Sequence, residues 1–135
     1  MRRRIRAYIN PCTMKVSRIV NFLLAVMFMV FAFVQVNDPD PIIWILIYGV
    51  MAVMAIMAIF EFYPRKVFIG LLIVFVLYSL TLGKGVLEWL QQDDKSILFD
   101  DVAKMQYPYV EEAREFLGLL ICIVTLAFYL IKSRR

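Results

Sequence analysis

Two acidic motifs contain most of the side chains that could carry out chemistry in this sequence. The QVNDPD motif spans residues 35–40, and the EEARE motif spans residues 111–115. Each places several carboxylate or amide oxygens within a few residues, and such hard ligands suit Ca²⁺ or Mg²⁺ better than they suit soft metals. Together the motifs define a candidate polar site, whose members are Gln35, Asn37, Asp38, Asp40, Glu111, Glu112, Arg114 and Glu115.

The same residues also have structural interpretations. Residues 37–40 can cap helix ends and build a turn, and glutamates in the first turn of a helix are favoured by the positive end of its dipole. Glu111 and Glu115 are four residues apart, so their like charges repel on a helix unless a cation or Arg114 lies between them. A capped turn, a polar network between the two motifs, and a cation or ligand site all remain open.

The residue types argue against an enzyme. The sequence has no histidine, which removes the commonest metal ligand and general base, so a Ser or Cys nucleophile would lack its partner. Cys12 and Cys122 match no metal-binding or redox spacing, and Cys122 lies in an apolar run where we expect no disulfide. We predict no cofactor, and no motif supports an enzyme built only from carboxylates and tyrosines.

Composition indicates a membrane protein. Of 135 residues, 63% are hydrophobic and only 19% are charged, with a mean hydropathy of +0.78. A chain of this kind cannot form a water-facing surface without large apolar patches. The net charge of +4 could suggest a nucleic-acid partner, but the charges sort by side of the predicted membrane, so we expect none.

Four apolar segments are long enough, or nearly so, to cross a bilayer as helices. We therefore predict an all-α polytopic membrane protein, a four-helix bundle that forms a single membrane domain. Pro39, Pro41 and Pro64 separate the first three segments, because proline lacks a donor and restricts the residue before it. The two short connections should make these helices antiparallel neighbours. The predicted spans are residues 18–36, 42–60, 67–90 and 109–131.

The connection at 91–108 is the longest between predicted spans. From Ile97 to Met105 its apolar residues alternate with Asp and Lys at helical spacing. This pattern predicts a short amphipathic helix that lies on the outer membrane surface between the third and fourth spans. Tyr107 and Tyr109 flank Pro108 as aromatic anchors before the fourth span begins.

The orientation follows from the positions of lysine and arginine. The N-terminal segment, the second connection and the C-terminus together hold eleven of these bases and one acid, Glu61. The opposite side holds four bases and ten acids. Because cytoplasmic flanks are enriched in Lys and Arg, we predict that the basic side and both termini are cytoplasmic. The membrane would be the inner membrane in a bacterium.

The first 36 residues have a rival interpretation as a signal peptide. The basic start fits, but the apolar run is long for such a peptide and no small-residue cleavage site follows it. We expect the segment to be retained as a span. Met14 is an alternative start, in which case residues 1–13 are not translated; otherwise they form a basic amphipathic arm.

The second span contains a short repeat of methionine and alanine. Ala52, Ala55 and Ala58 form a ridge that predicts close approach of another helix. The interleaved methionines could bind Cu(I) as soft ligands, but without nearby His or Cys we interpret them as flexible packing residues. The apolar cores of the spans contain uncharged polar residues such as Asn21 and Ser79 but no Asp, Glu, Lys or Arg, which argues against a pump or a charge-selective transporter.

A family resemblance rests on both motifs. The QVNDPD junction, Trp44 and Tyr48 in the second span, and the E-E-x-R-E run that opens the last span are similar to the transmembrane protein 220 family. The resemblance covers most of the chain but not residues 91–106. It implies a small multi-pass membrane protein and adds no catalytic or ligand-binding residue.

We therefore expect a non-enzymatic integral membrane protein that acts as a scaffold or as an accessory subunit of a membrane complex. Its partners would be the lipid bilayer and either another membrane protein or a second copy of itself. The alternative is a cation or lipid-headgroup site on the outer face, built from the QVNDPD and EEARE motifs. A permease for small uncharged solutes, assembled by oligomerisation, is a third hypothesis.

Overall fold

The described part of the protein is mainly helical. A computed structural model describes residues 11–100 and 106–134, and within the first helix it describes side chains from Lys15 onward. The predicted all-α class is confirmed, since this part of the chain contains no strand. The helices are α1 (Pro11–Val34), α2 (Pro41–Ile59), α3 (Arg65–Thr81), α4 (Gly83–Leu90) and α5 (Pro108–Ser133), with short 3₁₀ helices at Gln35–Asn37 and Lys95–Phe99.

Three segments are individually long and apolar enough to cross a membrane: Lys15–Asn37, Pro41–Ile59 and Pro108–Ser133. The third predicted span differs, because it is not one straight helix. It is divided into α3 and α4, which meet at Leu82 with a bend of 50°. The described residues therefore contain three spans, or four if the bent pair crosses as one, and the protein is an integral membrane protein.

The chain divides into two compact units, one ending at Tyr63 and the other beginning at Pro64. In the first unit, α1 and α2 pack as a hairpin. The alanine ridge of α2 lies on its buried side, with Ala55 fully buried and Ala52 and Ala58 nearly so. Small side chains there let the two helices approach closely. The helix that the ridge accommodates is thus α1 of the same chain.

The second unit is built around α5, which packs against α3, α4 and the second 3₁₀ helix. Its buried residues include Leu119, Cys122 and Leu126, and Cys122 is a free cysteine. The ring of Tyr129 lies 5.5 Å from that of Phe68 on α3, measured between centroids. The amphipathic helix predicted on the outer surface depends on residues 101–105, which lie outside the described residues.

Candidate functional site

The QVNDPD motif forms the connection between α1 and α2. Gln35, Val36 and Asn37 continue α1 as a 3₁₀ turn, which closes where the Asp38 N–H donates to the Gln35 carbonyl at 3.0 Å. Asp38 itself has extended backbone geometry, as expected for a residue that precedes proline. Gln35 and Asp38 are half-buried, whereas Asn37 and Asp40 are exposed.

Asp40 occupies the N-cap position of α2, and Pro41 follows as its first residue. Proline suits that position because its missing N–H would have no intrahelical partner. Within the described chain, the Asp40 side chain makes no capping hydrogen bond. The motif therefore builds the predicted turn through its backbone and its prolines, while the Asp40 carboxylate faces outward.

The EEARE motif lies in the first two turns of α5. Val110 and Ala113 are fully buried, whereas the four charged residues of the motif are half-buried. Glu111 lies in the first turn, where the helix dipole favours an acid. The glutamates thus lie at the start of the last helix, as predicted. The side chains of the motif are more buried than those on a fully solvated helix face would be.

Glu112 has a specific neighbour that the sequence did not reveal. A Cβ atom added to Gly85 on α4 would lie 2.5 Å from Glu112 Oε2 and even closer to Glu112 Cβ. Only glycine permits this approach, because any other side chain at position 85 would overlap the glutamate. Gly85 is buried, so α4 and α5 meet here with a carboxylate-bearing side chain directly over a glycine.

Among the described residues, no group of three or more His, Cys, Asp or Glu side chains is arranged to hold a metal ion. The QVNDPD motif belongs to the first unit and the EEARE motif to the second. The hypothesis that the two motifs form one site, whether for a cation or for a lipid headgroup, therefore stays a prediction.

A compact turn follows α4, and sequence reasoning missed it. The ammonium group of Lys95 donates to the carbonyls of Trp89 (3.4 Å), Gln92 (2.5 Å) and Leu90. In return, the Trp89 indole N–H donates to the Lys95 carbonyl at 3.3 Å. Carbonyls at a helix C-terminus lack intrahelical partners and carry partial negative charge, so one lysine satisfies several of them.

Asp94 begins the 3₁₀ helix that comes next. Its Oδ1 accepts hydrogen bonds from the Ser96 hydroxyl at 2.5 Å and from the Ser96 backbone N–H at 2.9 Å. These two bonds, the hydroxyl bond having the larger effect, hold the pKa of Asp94 below its ordinary value of 3.8. The Asp-x-Ser spacing is the sequence signal that predicts such a turn.

The opposite end of the first unit has a second polar cluster, formed by Arg18, Asn21, Ala58 and Glu61. The Asn21 side-chain amide donates to the Ala58 carbonyl at 3.2 Å, and Arg18 Nη2 lies 3.8 Å from Glu61 Oε1. Asn21 is buried, and its Oδ1 has no hydrogen-bond donor among the described residues. The sequence signal for this cluster is the single acid on the otherwise basic side.

Comparison with known proteins gives one family. The family described as "Transmembrane family 220, helix" matches residues 27–131, a range that contains both acidic motifs. Neither the curated proteins nor the solved structures gave a match.

Proposed function

This chain belongs to transmembrane family 220, and we propose that it is a non-enzymatic accessory or scaffold subunit of a membrane complex. The observation that carries the proposal is an apolar stripe on the exposed side of α2. Its members follow one another at intervals of four and three residues, a spacing that keeps them on one face of a helix. The stripe consists of Ile42, Leu46, Gly49, Val53, Ile56 and Phe60.

The α2 stripe lies away from the side of α2 that packs on α1. Ile42 is 73% exposed and Phe60 is 77% exposed, whereas Ala55 is fully buried. The alanine ridge is thus occupied within the hairpin, so it does not provide the surface for a partner. A partner helix would instead pack on the α2 stripe, where sustained spacing of this kind favours the shallow left-handed crossing common in membrane bundles.

Gly49 supports the proposal because it opens a notch at the middle of the α2 stripe. Apart from the adjacent residues and the local backbone of α2, no heavy atom lies within 4 Å of the position that a Cβ on Gly49 would occupy. A glycine within a helix lowers the stability of that helix, and here no close packing inside its own unit compensates for the loss. Its lack of a side chain does allow the backbone of a second transmembrane helix to approach closely.

The proposal includes the predicted orientation, with both termini in the cytoplasm. The bases near the start of α1 and at the end of α5, among them Lys15, Arg18, Lys132 and Arg134, support it, because Lys and Arg are enriched in cytoplasmic flanks. In this orientation the QVNDPD motif would lie on the outer side of the membrane.

Affinity purification in mild detergent tests the partner helix. Wild-type protein should retain another membrane protein in stoichiometric amount, and Gly49→Leu should lose it at unchanged expression, because the notch is filled. Gly70→Leu on α3 is the matched control, since a Cβ at Gly70 also meets open space. Retention of a second copy that is lost in the same way would identify a homo-oligomeric scaffold.

Two results would overturn the proposal. One is a wild-type chain that is monomeric and without partner in every mild detergent. The other is a partner that Gly49→Leu and Gly70→Leu retain equally well, since the α2 stripe would then have no part in binding.

A further inference from the structure

The turn that ends α2 has an unusual residue in it. The Phe62 N–H donates to the Met57 carbonyl at 3.0 Å, and the Glu61 N–H donates to the Ala58 carbonyl at 3.0 Å. This pair of bonds is the Schellman arrangement, whose central position requires left-handed geometry and is normally glycine. Glu61 fills it with φ of 62° and is the one non-glycine residue in the described ranges that has positive φ.

The contacts of the Glu61 side chain suggest why a glutamate, and not a glycine, occupies this position. Its carboxylate lies 3.8 Å from the Arg18 guanidinium, and the two side chains are 47% and 56% exposed, respectively. Exposed ion pairs of this kind contribute little to stability. The pair therefore does not account for a glutamate at a glycine position, and strained backbone in a folded protein is a reason to look for a function of the side chain.

Asn21 fixes the geometry of the ion pair. It lies about one helical turn after Arg18 on α1, and Ala58 of α2 lies three residues before Glu61, which is in the turn after that helix. The Ala58 carbonyl accepts both the Asn21 amide at 3.2 Å and the Glu61 N–H at 3.0 Å. The buried amide thus holds the end of α2 against α1, which keeps the guanidinium and the carboxylate side by side at the end of the hairpin.

We propose that Arg18 and Glu61 bind the headgroup of a zwitterionic phospholipid that carries a primary amine, of the phosphatidylethanolamine type. The guanidinium can donate two hydrogen bonds to the phosphate, and the carboxylate can accept from the ammonium group of the same molecule. The two charges of the protein then face the two opposite charges of one headgroup.

The surroundings of the pair suit a lipid. On the C-terminal side of Arg18 the exposed face of α1 is apolar, with Ile19 59% exposed and Phe22 58% exposed. Glu61 is flanked in sequence by two exposed aromatic residues, Phe60 (77%) and Phe62 (58%). Acyl chains can lie along these side chains while the headgroup remains at the level of the ion pair.

Charge complementarity selects among common headgroups. An anionic phosphatidylglycerol satisfies Arg18 with its phosphate, but it offers no cation to Glu61, so the net negative charge of the lipid remains uncompensated beside that carboxylate. A phosphatidylcholine carries both charges, but its quaternary ammonium has no N–H to donate. The primary-amine headgroup is the one that meets both protein groups with hydrogen bonds.

Native mass spectrometry of the full chain, purified and then equilibrated with an equimolar mixture of the three lipids, tests the site. We expect wild-type protein to retain phosphatidylethanolamine about fivefold over each of the others, the effect of one exposed charge pair over phosphatidylglycerol and of one hydrogen bond over phosphatidylcholine. Glu61→Gln should shift the preference to phosphatidylglycerol, since the repelling carboxylate is gone. Arg18→Gln should weaken retention of all phospholipids.

Two further variants separate binding from folding. Glu61→Gly removes the carboxylate and relaxes the turn, so a folded protein that has lost the preference is expected. Glu88→Gln on α4 is the control and should behave as wild type. Soluble glycerophosphoethanolamine should compete only weakly, because it lacks acyl chains.

Equal retention of phosphatidylcholine and phosphatidylethanolamine by wild-type protein would overturn the inference. An unchanged preference in Glu61→Gln, or an equal change in Glu88→Gln, would do the same. The inference does not depend on a partner helix, since Arg18 and Glu61, which bind the headgroup, are not part of the α2 stripe, and only Phe60 belongs to both surfaces. Failure of one proposal therefore leaves the other intact.

Discussion

At the scale of single residues, Glu61 has the most unusual backbone in the described chain. A non-glycine residue in the left-handed region costs about 1–2 kcal/mol relative to right-handed geometry, whereas glycine adopts either region with little cost. The ion pair with Arg18 is exposed and contributes at most about 1 kcal/mol. The free energy of the turn alone therefore favours glycine at position 61 (φ 62°), although the chain has glutamate.

The first prediction compares two substitutions that both remove this carboxylate. Glu61→Gly should be more stable than Glu61→Ala by about 1 kcal/mol, because alanine keeps the left-handed strain and glycine does not. Thermal or denaturant unfolding in micelles, followed by circular dichroism, measures the difference.

Glu88 provides the control for this comparison, since it lies within α4, in right-handed helix. There the order should reverse, and Glu88→Ala should be the more stable variant because alanine has the higher helix propensity. The same order at both positions would contradict the left-handed geometry of Glu61.

At the scale of elements, the break between α3 and α4 shapes the second unit. Ser79 and Thr81 donate their hydroxyls to the carbonyls of Val76 and Tyr78, three residues earlier, at 2.7 Å and 2.6 Å. Such local bonds compete with the helix ladder and often accompany bends. Gly83 and Gly85 follow at once, and Gly85 lets α4 lie against Glu112 of α5.

The second prediction distinguishes these two glycines. Gly85→Ala should destabilise the protein by about 1–3 kcal/mol, the usual cost of overpacking, because its Cβ would overlap Glu112. Gly83→Ala should be neutral or stabilising by up to about 1 kcal/mol, since its Cβ meets open space and alanine favours helix. Unfolding measurements on the two variants test this contrast.

A double-mutant cycle identifies Glu112 as the cause. The three heavy atoms nearest to a Cβ at position 85 all belong to Glu112, so Gly85→Ala should cost much less in a Glu112→Gly background. Additive effects of the two substitutions would show that the destabilisation has another origin.

The sequence predicts the ends of a helix well where the residue types themselves determine those ends. Proline and an uninterrupted apolar run predict the second span at 42–60, and α2 extends from Pro41 to Ile59. The 50° bend of the third span was not predicted, because hydropathy reports which residues enter the membrane and not the direction of the chain. Helix α1 also begins earlier, at Pro11, since a segment with polar residues such as Thr13 and Lys15 can be helical without being long enough in apolar residues to count as a span.

The candidate site was predictable in its secondary structure and not in its contacts. The QVNDPD motif does form a turn, and the EEARE motif does open the last helix. The pairing of Glu112 with Gly85, like that of Glu61 with Arg18, depends on which faces of two helices meet, and a single sequence does not encode this locally. The alanine ridge was recognised as a helix-packing surface, while its partner, α1, emerged only from the fold.

At the scale of the whole molecule, the number of crossings depends on the bent pair. Helix α3 has 17 residues and rises about 26 Å, which is shorter than the roughly 30 Å of a bilayer core. Helix α4 has 8 residues and, bent by 50°, adds about 8 Å along the direction of α3. Together they reach about 33 Å, enough to cross the core once.

The last prediction is that α3 and α4 cross the membrane as one span. In a background with Cys12→Ser and Cys122→Ala, a cysteine replacing exposed Asp93 should react with a membrane-impermeant maleimide on intact cells. A cysteine replacing exposed Lys66 should react only after permeabilisation, because it lies at the opposite end of the pair. Reaction of both positions from the same side would mean that the pair is re-entrant. The chain would then cross the bilayer three times, and its termini would lie on opposite sides.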